Sequence, residues 1–186
     1  MKLRVQYNSP VVLTFALVSL GVLLLGWATG GWTTTRLFCV YRAPLTDPLT
    51  YVRMITHVLG HAGYAHYMGN MMLLLVVGPP LEEKYGSRKL LFCILVTALV
   101  SGLVQFFFFP GSALLGASGI VFMMIVLSSL AGMKERAIPL TLILVVILYL
   151  GGEAVDAATV QDSVSHLTHI VGGLCGAALG FGMSRR

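Results

Sequence analysis

A serine between glycines, Ser118 in the run Gly116-Ala117-Ser118-Gly119, is the first candidate for chemistry in this sequence. The glycines leave the backbone bare, so another helix or a substrate chain can approach the hydroxyl closely. The run opens a hydrophobic segment, and the unpaired N–H groups of a helix start can receive a developing oxyanion. A lone serine in such a helix more often bonds a backbone carbonyl one turn back, so the motif alone leaves a structural role open.

A histidine near the end of the chain, His169, is followed by Gly172, Gly176 and Gly180. On a helix these four positions form one stripe, and small residues at every fourth position let two helices pack closely in a membrane. His169 is therefore predicted on a face that is pressed against a neighbouring helix. His166, one turn earlier, is the rival candidate for the same chemistry.

A third group consists of His66 and Asn70, which share one helix face because they are four residues apart. His61 precedes His66 by five residues and is predicted to point elsewhere. Polar contacts between helices would explain this group without any chemistry. A serine needs a base within hydrogen-bond reach, however, and together with Ser118 and His169 the group indicates nucleophilic acyl transfer by a Ser–His dyad that requires no metal.

The elements that position these residues are predicted from composition. Of 186 residues, 57% are hydrophobic and only 10% are charged, and the mean hydropathy is +0.89. Soluble domains carry roughly 25% charged residues, so the composition excludes a soluble globule and a disordered chain. The net charge of +5 lies in short clusters between apolar runs, which excludes a nucleic-acid binder. Three scattered cysteines are predicted to be buried apolar residues.

The apolar runs have the length of membrane spans, since about 30 Å of hydrocarbon takes ~20 helical residues. The expected fold is an all-α polytopic membrane protein, one domain over residues 1–186 with a short basic tail at 1–10. The long linker from Thr29 to Ala62 is predicted to lie at headgroup level. The six predicted spans are about Val11–Ala28, Gly63–Pro80, Lys89–Phe109, Leu114–Met133, Ala137–Gly151 and Ser165–Met183.

The distribution of basic residues predicts the orientation. With the N-terminus in the cytoplasm, nine of the twelve Lys and Arg residues fall in inside segments and three fall outside. This satisfies the positive-inside rule, and the even number of spans places both termini in the cytoplasm.

At these residues the sequence resembles the rhomboid intramembrane serine proteases, over about Arg53 to Gly180. No single motif is specific to this family, but the combination of these motifs, in this order on a six-span chain, is specific. The matching patterns are His61-x4-His66-x3-Asn70 in span two, the run 116–119, His169 with Gly172 and Gly176 in the last span, and Glu82 after span two.

The resemblance implies a role for each of these residues. Ser118 would be the nucleophile and His169 its general base, while His66, Asn70 and the Ser118 N–H would form the oxyanion hole. The activity would be cleavage of peptide bonds in or next to transmembrane segments of membrane-protein substrates in the bilayer, without a cofactor or metal. The supporting residues would be His57, His61, Arg53 and Glu82, which hold the first loop and span two, together with Gly116, Gly119, Phe122, Gly172 and Gly176.

Two positions depart from the family pattern. Phe122 stands where the family often has Tyr, so stacking under His169 would persist without a hydroxyl. Val52 stands where a Trp often precedes the first-loop Arg. The resemblance also implies that the loop Pro110–Leu115 dips toward Ser118 and that the loop Gly152–Gln161 and span five form the mobile cover and lateral gate of the site. The bacterial plasma membrane is the expected location, and the alternative function is an inactive scaffold or chaperone that binds transmembrane helices.

Overall fold

The computed structural model describes residues 6–131, the single positions 140, 143, 144 and 147, and residues 163–184. These residues form an α-helical bundle with one short antiparallel strand pair. The helices are α1 Pro10–Ala28, α2 Trp32–Leu37, α3 Pro48–Thr56, α4 Tyr64–Tyr85, α5 Ser87–Phe108, α6 Ser118–Ala131 and α7 Ser163–Ser184, with a 3-10 turn at His57–Leu59 and strands β1 Val40–Tyr41 and β2 Ala113–Leu114.

The all-α class is confirmed, and five of the six predicted spans coincide with helices α1, α4, α5, α6 and α7. By length and hydropathy, α1 and α5 are the described helices that qualify to cross a bilayer, while α6 and part of α7 are shorter apolar helices. The predicted fifth span, Ala137–Gly151, lies outside the described residues except for four helical positions. The number of spans and their orientation remain predictions.

The start of α6 differs from the prediction. The span was expected from Leu114, but the helix begins at Ser118. Leu114 is extended because it pairs with Val40 in the antiparallel strand pair, where Tyr41 opposes Ala113. The pair joins the segment before α3 to the loop before α6. Ser118 is consequently the first residue of α6, where backbone N–H groups have no partner within the helix.

The segment between α1 and α4 is built around the buried guanidinium of Arg53, which is 1% exposed. Arg53 forms an ion pair of 2.9 Å with Asp47, and the guanidinium also lies over the Tyr41 ring at 4.6 Å. Asp47 caps α3 by accepting the Leu49 N–H at 3.0 Å. The pKa of Asp47 is lowered, mainly by its hydrogen bond with Arg53. Arg53 therefore joins the segment before α3 to α3 itself, and the supporting role implied for it stays a prediction.

The Glu82 carboxylate joins the end of α4 to the start of α1. It accepts the Val11 N–H at 2.9 Å and the Val12 N–H at 3.0 Å. It also accepts the Ser87 hydroxyl at 2.7 Å. The carboxylate therefore caps the first turn of α1 and ties it to the α4–α5 turn. A negative charge is favourable there because the helix dipole is positive at its N-terminus.

Helix α6 lies in the centre of the bundle. Nine of its fourteen residues are buried, among them Ile120, Met123, Met124 and Leu127, which are fully enclosed. The core cluster joins this helix to α1, α4 and α5 through Val12, Leu74 and Leu90. The catalytic candidate Ser118 thus begins the most enclosed helix.

Candidate active site

One cavity of about 410 Å³ brings together the four residues on which the sequence prediction depends. Ser118 lies at the start of α6, His169 on α7, and His66 and Asn70 on α4. The other walls are apolar or small. They consist of Ala65, Gly69, Leu73, Leu114, Leu115 and Val121. The loop that was expected to dip toward Ser118 contributes Leu114 and Leu115 to these walls.

The turn before Ser118 requires glycine at position 116. Gly116 has φ +127°, a conformation that residues with a side chain rarely adopt. Its N–H donates to the His57 carbonyl at 3.0 Å, which fixes the turn. A Cβ at this position would lie 2.8 Å from Cε1 and Nε2 of the His66 ring. The absent side chain therefore lets the imidazole lie directly against the backbone that leads into Ser118.

The glycine stripe of α7 brings His169 to α6. A Cβ on Gly172 would overlap the carbonyl oxygen of Gly119, and one on Gly176 would lie 2.6 Å from that of Met123. Backbone therefore packs against backbone at the level of Ser118. His169 is one turn before Gly172 and is 8% exposed. The side chain of the rival, His166, lies outside the described part of the protein.

Phe122 contacts His169, but it does not stack under it as expected. The ring centroids are 6.4 Å apart and the planes are inclined by 60°, an edge contact. Phe122 is buried and also lies against Gly173 of α7. The aromatic residue thus supports the edge of the imidazole and fills the space between α6 and α7.

His66 and Asn70 both line the cavity, and each carries an N–H donor beyond the bonds that hold it. His66 Nδ1 accepts the Ala62 N–H at 3.5 Å, so in the neutral ring the proton belongs to Nε2, the atom beside Gly116. Asn70 Nδ2 donates one of its two hydrogens to the His66 carbonyl at 3.0 Å. The second hydrogen of that amide is not used by this bond. Two donors of this kind can stabilise an oxyanion.

His57 and His61 lie outside the cavity and support its walls. His57 Nδ1 donates to the Arg53 carbonyl at 3.2 Å, and Nε2 is 3.3 Å from Ser101 Oγ. The His61 ring meets the His66 ring edge-on, with centroids 5.1 Å apart. Burial lowers the pKa of both His57 and His61 to about 4, so both are neutral at pH 7. Their supporting role stays a prediction.

Two polar residues of α5 were not identified from the sequence. Ser101 contacts His57, and Gln105 Nε2 donates to the carbonyl and the hydroxyl of Ser112 at 3.1 and 3.0 Å. Both are buried, and together they hold the loop before Ser118. The sequence nevertheless contained a signal for both residues, because polar residues in a hydrophobic helix are functional candidates by default. Gly69, a cavity wall without a side chain, carried no such signal.

Comparison with known proteins gives the same assignment as these motifs. A family model described as the Rhomboid domain matches residues 48–186. Rhomboid-related protein 2 of Mus musculus is 29% identical over 74% of this chain and 52% of its own length. Rhomboid protease GluP of Bacillus subtilis (strain 168) is 29% identical over 92% of this chain and 35% of its own. Rhomboid protease GlpG of Pectobacterium atrosepticum is 27% identical over 95% of this chain and 63% of its own.

The chain spans less than two thirds of the length of each of these relatives. The match to the family model nevertheless includes α3 to α7 and every residue that lines the cavity. By this match, the chain belongs to the rhomboid family.

Proposed function

We propose that this protein is an intramembrane serine endopeptidase that cleaves peptide bonds in or next to transmembrane segments of membrane proteins. Rhomboid family members are integral membrane proteins, and two of the relatives are named proteases. The main support for the proposal is that the same cavity is lined by Ser118, His169, His66 and Asn70.

In the proposed reaction, His169 takes the proton of Ser118 while Oγ attacks the substrate carbonyl carbon. His66 Nε2–H, the Asn70 amide and the Ser118 N–H donate to the oxyanion. The tetrahedral intermediate collapses, the C–N bond breaks, and the leaving amine takes the proton from His169. Water, deprotonated by His169, then attacks the acyl-enzyme, which releases the carboxylic acid and restores Ser118.

The substrate must present an extended peptide to this cavity. A helical segment has its carbonyls bonded within the helix, so we expect substrates with helix-breaking or small residues near the cut. The apolar walls, such as Leu73 and Val121, favour uncharged side chains beside the scissile bond.

The test is cleavage of a transmembrane substrate by purified protein in liposomes. We expect Ser118→Ala and His169→Ala each to lower the rate by about 10³-fold or more. The matched serine control is Ser129→Ala in the same helix, because Ser129 Oγ bonds the Ile125 carbonyl one turn back at 3.0 Å. Equal cleavage by wild type and both dyad variants would refute the proposal, and loss of activity in His166→Ala alone would reassign the base.

A serine-directed fluorophosphonate separates the protease from an inactive scaffold. The reagent should label wild type and Ser129→Ala at Ser118 and should not label Ser118→Ala. A folded wild-type protein that binds transmembrane helices but neither reacts with the reagent nor cleaves would favour the scaffold.

We further propose six spans with both termini in the cytoplasm. The support is the excess of basic residues in the inside segments, nine against three. A reporter that fluoresces only in the cytoplasm, fused after Arg186, should be active. The same reporter fused after Asp47 should be inactive, and the opposite pattern would invert the topology.

A further inference from the structure

A groove of about 280 Å³ lies between the start of α5 and the end of α7. We call it the α5–α7 groove. It shares no lining residue with the cavity that holds Ser118, so it is a separate site. Of the described residues that line it, only one is charged. The walls are Lys89, Phe92 and Cys93 of α5 and Ala178, Leu179, Gly182 and Met183 of α7.

The α5–α7 groove begins at the headgroup level of a bilayer. Helix α5 has 22 residues, about 33 Å, which matches the ~30 Å of hydrocarbon that a span must cross. Lys89 is the third residue of α5, and Met183 is the second-last residue of α7. Both therefore lie where lipid phosphates are found. From Lys89 to Cys93 the groove extends about 6 Å along the helix, toward the acyl chains.

The positive charge of Lys89 is not neutralised by the protein. Among the residues that the structure describes, no acidic side chain forms an ion pair with Lys89 and none lines the groove. The side chain is exposed. A lysine near the end of a span lays its apolar stem along the protein and extends its ammonium to the headgroups. The mouth of the groove is therefore complementary to an anion.

The rest of the α5–α7 groove is complementary to an apolar chain. Phe92 is 60% exposed on one side, and Leu179 is half-buried on the other. Ala178 and Gly182 are exposed and small, and a Cβ on Gly182 would meet no heavy atom within 4 Å. A free phosphate would leave these walls uncovered and would exchange its hydration for a single cation. The ligand must carry both an anionic group and an apolar chain.

We propose that the α5–α7 groove binds an anionic phospholipid, phosphatidylglycerol, with the phosphate beside Lys89 and the upper part of one acyl chain against Ala178 and Gly182. Basic pockets between membrane helices are typical sites for anionic headgroups. A zwitterionic lipid binds less well, because its own cation competes with Lys89 for the phosphate and is repelled by the ammonium.

The test is photolabelling in phosphatidylcholine vesicles, and it requires no catalysis. The probe is phosphatidylglycerol with a diazirine on one of its first acyl carbons, because the groove extends only about 6 Å from Lys89. We expect crosslinks within residues 89–93 and 178–183, mapped by mass spectrometry. The control probe is phosphatidylcholine with the same diazirine chain. It should label these residues about fivefold less, the usual effect of one basic residue on an anionic lipid.

A pair of charge variants separates the α5–α7 groove from a general attraction to basic residues. Lys89→Gln should lower labelling by the phosphatidylglycerol probe about fivefold, to the level of the control probe. Arg88→Gln removes the same charge at the neighbouring exposed position, but Arg88 does not line the groove. This variant should therefore retain its labelling. Equal losses in the two variants would overturn the proposal.

A pair of volume variants tests the place of the acyl chain. Gly182→Leu fills the α5–α7 groove, whereas Gly21→Leu adds the same side chain at an exposed position of α1, and a Cβ meets no heavy atom within 4 Å at either position. Only Gly182→Leu should lower labelling of the groove, normalised to the crosslinks that the probe forms elsewhere on the protein.

Two further outcomes would overturn the proposal. Equal labelling of the groove by the two probes would reduce the site to ordinary lipid contact. Competition by inorganic phosphate at the concentration of the probe would mean that the ligand is a soluble anion.

Discussion

Two buried imidazoles, those of His57 and His61, are expected to make the stability of the protein depend on pH. Burial lowers the pKa of each from about 6.5 to about 4 in the folded state. Between these values the unfolded chain binds protons that the folded protein does not. The free energy of unfolding should therefore fall as the pH falls from 6.5 to 4, by up to about 1.4 kcal/mol per pH unit for each imidazole. Thermal unfolding in detergent at several pH values measures this slope.

The contribution of one imidazole can be isolated with His57→Gln, because a glutamine side chain does not titrate in this range. The variant is less stable at all pH values because it changes the bonds to Arg53 and Ser101. Its slope between pH 6.5 and 4 should nevertheless be smaller than that of wild type. An unchanged slope would mean that His57 is not the group that titrates.

Among the residues of the turn before Ser118, Gly116 is expected to tolerate substitution least. Gly116→Ala requires φ +127° from a residue with a side chain and places a Cβ against the His66 ring. We expect a fall in cleavage rate of about 10²–10³-fold, as for loss of an oxyanion donor. Gly111→Ala in the same loop is the matched control, because a Cβ there meets no heavy atom within 4 Å. Equal rates for the two variants would contradict the role of this turn.

Residue types and their spacing made Ser118, His169, His66 and Asn70 the candidates, because polar groups are rare in so apolar a chain. One cavity of the structure contains all four. Gln105 and Ser101 were missed although they are polar and lie in a hydrophobic run. Their importance depends on the Ser112 loop and the His57 ring that they contact. Such contacts between distant segments have no local sequence pattern.

At the scale of elements, the contact between α6 and α7 is expected to set the distance between the nucleophile and its base. In Gly172→Ala the added methyl would overlap the Gly119 carbonyl, so the helices must separate beside Ser118. We expect fluorophosphonate labelling of Ser118 to slow by at least about tenfold, because a small displacement of a catalytic group strongly lowers the reaction rate. Gly182→Ala on the same helix adds a methyl that meets nothing within 4 Å and should label normally.

Apolar runs predicted the long helices, since α1, α4, α5 and α7 begin and end within about five residues of the predicted spans. They did not predict the short helices α2 and α3, which lie in the segment that was taken as a linker. The start of α6 was displaced by the strand pair, in which each strand has two residues. Strands this short have no periodicity, and Val40 and Leu114 are far apart in sequence. The pattern of apolar runs therefore could not predict the strand pair. The start of α3, by contrast, has a recognisable signal in the Asp47-Pro48 pair.

At the scale of the whole molecule, the Glu82 carboxylate joins the beginning of the bundle to its middle. Glu82→Gln keeps one acceptor oxygen but loses the charge that faces the first turn of α1. We expect the free energy of unfolding to fall by about 1–2 kcal/mol, while Ser118 labelling at low temperature is retained. Glu83→Gln, at the exposed neighbouring position, is the matched control and should unfold like wild type. Equal unfolding of the two variants would contradict the anchoring role.

The family pattern pointed to Glu82 as a supporting residue but did not identify the groups that its carboxylate binds. The residues that it binds are 70 and 71 positions earlier, and nothing near Val11 or Val12 marks them as donors to a carboxylate. Helix starts usually receive their acceptor from the residue just before them. In α1 that residue is Ser9, whose side chain makes no capping bond.

The long separation between α1 and its cap has a consequence for biosynthesis. As the chain leaves the ribosome, α1 is complete at Ala28, which is 54 residues before Glu82. During that interval the Val11 and Val12 N–H groups lack the acceptor that they have in the folded protein. Capping of α1 is therefore a late event of biosynthesis, because it requires that the end of α4 has been made.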